Sequence, residues 1–144
     1  MVLLIAGAAI AAHAANTSSG QKAGRAPSAR QFVGYWMGID PLDGGDSRRG
    51  ITRNRNGTFS VIGRDTVFTL CDGTDRAIVT LSDAAVVDSR LVSDNLLIRC
   101  TNDGSTVRLK VRYDVLGRNI VRETVTSQAG EPVDKIIFHR VSER

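Results

Sequence analysis

The chain has 144 residues and a formal net charge of +4. That length argues for one domain, able to bury a core without help from a metal. Aromatic residues make up only 5%, and the basic residues, nearly all arginine, are scattered along the chain; this argues against a nucleic-acid binder, which concentrates its cations and interleaves stacking aromatics.

Residues 1–14, from Met1 to Ala14, are apolar and rich in small side chains. The run is too short to span a bilayer as a helix. Ala12-His13-Ala14 has the small-x-small pattern of a signal-peptidase site, so the segment reads as a signal peptide cut after Ala14, with no Lys or Arg in its n-region. Residues 15–30 have no periodicity and little apolar bulk, and read as a flexible linker. The folded domain is expected over 31–144. No other apolar run is long enough for a membrane helix, so no membrane span is expected and the mature protein reads as secreted or periplasmic.

From Phe32 onward, strand signals recur at short spacing. Phe32–Ile39 reads as the first strand. Asp40 to Asp46 is a loop punctuated by Pro41 and the Gly44-Gly45 pair. Arg49–Arg53 and Thr58–Ile62 flank Asn56-Gly57, a strong hairpin signal because both residues tolerate positive φ. Thr66–Leu70 is expected as a strand, followed by a turn at Asp72-Gly73-Thr74-Asp75 and a strand at Ala77–Leu81. Ala84–Val92 fits either a strand or a short helical turn. Leu96–Thr101 and Thr106–Val115 form the clearest hairpin. There Val107, Leu109, Val111 and Tyr113 alternate with Arg108, Lys110 and Arg112, which places the apolar set on one face. Ile120–Thr126 and Val133–Ser142 complete the pattern. About eight strands in antiparallel meander order suit an up-and-down barrel, which removes the sheet's edges; an open sandwich is the competing architecture.

Two cysteines are present, Cys71 and Cys100. In an exported chain an isolated pair reads as a disulfide, stabilising by about 3–4 kcal/mol in the chain-entropy account. Asp40, Asp43 and Asp46 recur every third residue, but the spacing is not that of a calcium loop and Asp-Pro and Asp-Gly-Gly are turn chemistry. His139 is the one histidine of the expected domain, too few ligands for a zinc site. No nucleophile elbow or nominated carboxylate pair supports an enzyme, and no metal or cofactor is expected. Arg99, Arg108, Lys110 and Arg112 read as a solvated exterior face, with a docking patch for an acidic partner as the other reading.

Gly34-Tyr35-Trp36 resembles the Gly-x-Trp motif in the first strand of lipocalins and their calycin relatives, and Arg140 in the last strand matches the arginine that packs across that tryptophan. The resemblance implies a small lipocalin-like β-barrel in which Trp36 and Arg140 close one end. The chain lacks the family's second motif and its C-terminal helix. What it implies for function is an exported, non-enzymatic binding module that holds a small apolar ligand in the barrel, with Trp36, Val107, Leu109, Val111 and Tyr113 as lining residues. The alternative is a protein-binding module, such as an envelope interaction protein or a secreted inhibitor resembling bacterial metalloprotease inhibitors, whose N-terminal segment enters the protease cleft.

Overall fold

The computed structural model describes residues 28–72 and 76–141. The signal-peptide segment and most of the linker lie outside them. Alternating burial along the chain drives the architecture: each strand turns one set of side chains inward, and the inward sets of all strands meet in a single core. The strands are β1 (Gly34–Ile39), β2 (Asp46–Arg53), β3 (Phe59–Asp65), β4 (Ala77–Val87), β5 (Arg90–Cys100), β6 (Thr106–Gly117), β7 (Ile120–Thr126) and β8 (Pro132–Arg140). Each pairs antiparallel with the next in sequence, and β8 returns to β1, so the sheet is a closed barrel. The closing ladder is short, with Trp36↔Arg140, Met37↔His139 and Gly38↔Phe138 as its register.

Three expectations change. Thr66–Leu70 is not a strand: β3 ends at Asp65, directly opposite Ala77 of β4, so residues between them have no ladder to join. They form a connection in which Phe68 is buried and Thr69–Cys71 make a 3-10 turn, ended by Asp72 at φ +63°. Ala84–Val92 is neither a single strand nor a helical turn but the hairpin between β4 and β5, with Asp88 and Ser89 both at positive φ (47° and 64°). That is the primed two-residue turn that suits strand twist, made here without glycine. The Asn56-Gly57 hairpin exists, yet only Gly57 takes positive φ; the turn closes through Gly57 N–H donating to the Asn54 carbonyl at 3.1 Å.

The Cys71–Cys100 disulfide ties the β3–β4 connection to the end of β5, with the Cα atoms 5.4 Å apart. At the opposite end of the barrel Ala29–Gln31 form a 3-10 turn, and Phe32 enters the core with 0% exposure. Among the described residues no helix is long and apolar enough to cross a membrane.

Candidate functional site

The end reached by the N-terminal turn is closed by Trp36 and Arg140. The Arg140 guanidinium carbon lies 4.2 Å from the Trp36 ring centroid, within cation–π range. The Arg140 Nη2 donates to the Gln31 carbonyl at 2.8 Å and its Nη1 to that of Val33, while Trp36 Nε1 donates to the Phe32 carbonyl at 2.9 Å. A Cβ at Gly34, which sits at φ +142°, would overlap the Arg140 guanidinium, so the glycine of Gly34-Tyr35-Trp36 makes room for it.

Inside the barrel is a polar cluster that the expected set of lining residues largely omits. Arg49 on β2 is 3% exposed and places all five guanidinium donors. Nε and Nη2 donate to Glu123 at 2.9 Å each, Nη1 and Nη2 to Asp65 at 2.7 and 3.2 Å, and Nη1 also to the Arg48 carbonyl at 2.9 Å. Tyr113 donates its hydroxyl to Glu123 at 2.5 Å, and the Arg49 guanidinium stacks 5.2 Å from the Phe138 centroid. Burial and the neighbouring Glu123 charge push the Tyr113 phenol well above its ordinary range. Burial alone would lower the Arg49 pKa, but Glu123 and Asp65 outweigh it and hold the guanidinium charged. Strand parity carries the signal for this cluster: Arg49 alternates in register with Ser47 and Ile51, and Glu123 with Val121 and Val125, so both face inward.

The other mouth carries two carboxyls. Asp134 opens β8 and Asp40 follows β1; both are buried, beside Phe68, Leu42 and Leu70 around a cavity of about 190 Å³. Burial raises the Asp134 pKa to about 7, and the Asp40 charge adds to the rise. Burial raises Asp40 as well, although the Leu42 N–H donated to it at 2.7 Å and a hydrogen bond from Asp134 oppose the shift. Asp43 spends one oxygen on the Gly45 N–H at 2.7 Å, the Asx-turn role expected of this loop.

The expected lining residues all point inward. Trp36, Leu109, Val111 and Tyr113 are buried and Val107 is half-buried, packed against the core. Their neighbours Phe32, Val61, Val79, Leu96 and Phe138, like Tyr113, have 0% exposure, so no space large enough for a water adjoins them. The largest of the described cavities, about 600 Å³, lies on the outer wall of β1, β2 and β3. Its walls are outward-facing side chains: Tyr35 (58% exposed), Met37, Ile62 (68% exposed) and Val141, with Arg48 and Arg64 beside them. A second groove continues the same face across β8, over Ile39, Ile137 and His139. None of these wall residues was expected as a site, because outward apolar residues break the alternation that sequence reading relies on. The basic residues of β5 and β6 do face outward. Arg112 donates to Asp114 at 3.1 Å and Arg108 to Asn95 at 2.8 Å.

The fold and these surfaces define a small, closed, eight-stranded antiparallel barrel with one disulfide. Comparison with known proteins found no family model, no curated protein and no solved structure that matches this chain.

Proposed function

We propose that this protein is an exported, non-enzymatic recognition module of lipocalin-like type that binds a partner protein through the outer wall of β3, β2, β1 and β8. The observation that carries the reading is the contrast between the two sides of that wall. Inside, the described core side chains are buried, and Arg49, Asp65, Glu123 and Tyr113 satisfy one another, while the Ser47 hydroxyl finds no partner. Outside, Ile62, Tyr35, Met37, Ile39, Ile137 and Val141 leave a continuous apolar face open to solvent, and such faces mark interaction surfaces. A small apolar ligand held in the barrel would have to displace aromatic side chains and break the Tyr113–Glu123 hydrogen bond, which disfavours that reading. The Trp36–Arg140 contact supports the lipocalin-like assignment, and the disulfide and the signal-like N-terminus support export.

The test is affinity capture from an extract of the cells that produce the protein, comparing the native chain with Ile62→Asp. Ile62 is exposed, so the substitution leaves the core intact. A partner retained by the native chain and lost with Ile62→Asp supports the reading; equal retention by both places binding elsewhere. Native mass spectrometry that shows a co-purifying lipid would favour the interior-ligand function instead.

A further inference from the structure

The outer groove contains an arrangement that the fold alone does not require. Arg48 and Arg64 stand directly opposite each other on β2 and β3, both on the outer face and both exposed. Like charges directly opposed across a ladder destabilise a sheet. Among the described residues no carboxylate forms an ion pair with either; the ion pairs present join Arg49, Arg90, Arg112 and Arg122 to Asp65, Glu123 and Asp114. Asp46, two residues before Arg48 on the same face, makes no ion pair with it. The next row along the strands is apolar: Ile62 opposite Gly50, and Gly50 opposite Tyr35. Gly50 carries no side chain there, and the Tyr35 ring edge lies 3.4 Å from where a Cβ would stand, so this row forms the floor of the groove. A cationic row with no counterion thus borders an apolar notch.

We propose that the groove recognises an extended segment of the partner polypeptide in which an apolar residue and an aspartate or glutamate stand two positions apart. This rests on the outer-wall reading above and names its chemistry. The apolar side chain occupies the notch between Tyr35 and Ile62, and the carboxylate takes charge-assisted hydrogen bonds from Arg48 and Arg64. The spacing follows from geometry: the two rows are two residues apart along β2, about 6.8 Å, and an extended chain repeats its same-face side chains at that distance. A second copy of the chain fits poorly, since it would bring arginines against arginines. A lipid surface also fits poorly, because such surfaces are met by clusters of about four to eight cations, whereas a single pair stands here.

The experiment is an amide NMR titration with the peptide acetyl-Ser-Leu-Ser-Glu-Ser-amide and its glutamine counterpart, on the native chain, Arg48→Gln, Arg64→Gln and Ile62→Asp. The expected result is shifts at Arg48, Gly50, Ile62 and Arg64 with the glutamate peptide. Affinity should fall about ten-fold for the glutamine peptide and for either arginine variant. Equal binding of the two peptides would overturn the anion reading while leaving the docking face standing. An Ile62→Asp chain that captures its partner as the native chain does would remove the docking face itself. No shift on this face, co-sedimentation with phosphatidylglycerol vesicles that Arg48→Gln abolishes, or a dimer that Ile62→Asp dissolves would each overturn the proposal.

Discussion

Raising the pH from about 5 to about 8 will destabilise the barrel, and Asp134→Asn will remove most of that loss. Asp134 is 9% exposed at the mouth where β8 begins. Burial, then the Asp40 charge and more distantly Glu123 and Asp65, raise its pKa to about 7, against the pull of the Lys135 N–H donated to it at 2.6 Å. In the unfolded chain the same carboxyl titrates near about 3.9. Between those values the folded state holds a proton that the unfolded state has released. The stabilisation is therefore complete below the unfolded pKa and is lost as the pH rises through about 7. The part of that window crossed between about pH 5 and about 7 corresponds to about 3 kcal/mol; because the mouth is partly open to water, screening reduces the expected loss to about 1–2 kcal/mol. Asn at this position keeps an acceptor for the Lys135 N–H and presents Asp40 with a neutral donor. Asp40 is raised in the same direction, so the transition observed belongs to the pair. Urea denaturation at the two pH values, with the disulfide intact, measures the effect. An unchanged midpoint for the native chain, or an Asn variant with the same pH slope, would refute the reasoning.

Trp36→Ala should cost about 3–5 kcal/mol, because it empties the barrel end; Arg140→Met should cost less, about 1–3 kcal/mol, for the lost carbonyl hydrogen bonds and ring contact. Thermal or urea unfolding distinguishes the two. Arg49→Met leaves Asp65 and Glu123 buried without their cation and should cost about 3–5 kcal/mol. Adding Asp65→Asn and Glu123→Gln should restore part of that stability, and a triple variant no better than the single would show that the cost lies in packing. Cys71→Ala with Cys100→Ala opens a loop spanning 29 positions and should lower stability by about 3–4 kcal/mol, read as a lower denaturation midpoint under oxidising conditions.

Strand alternation made much of this fold readable. Val107, Leu109, Val111 and Tyr113 announce β6 without ambiguity, and meander order followed from the turn signals between strands. The failures occur where local sequence and tertiary demand part. Phe68 lies in an apolar stretch but serves as a mouth plug beside Cys71. Asp88-Ser89 make a tight turn without the glycine that usually marks one. The interior cluster was legible in principle through parity, since Glu123 shares its face with Val121 and Val125. A charged residue between two inward valines is ordinarily taken as an irregularity, and its partners Arg49 and Asp65 lie too far away in sequence to be paired by spacing. Ile62, Tyr35 and Met37 lie in stretches that read as strands, but apolar character alone does not say which face a residue joins, and the structure turns all three outward.

The same accounting of polar groups separates the two sides of the wall. Buried charges are tolerated only when paired and fully hydrogen-bonded, and the Arg49 cluster meets that demand within itself. The cluster could not open to admit an apolar ligand without leaving charge unpaired inside the barrel. Arg48 and Arg64, by contrast, bear a repulsion that folding does not require, in water that screens it. A partner carboxylate would relieve that repulsion, and burial of the apolar row beside it would strengthen the contact by displacing water. On the proposed reading recognition falls on the outer wall, where an arginine pair with no ion-pair partner among the described residues adjoins an uncovered apolar notch.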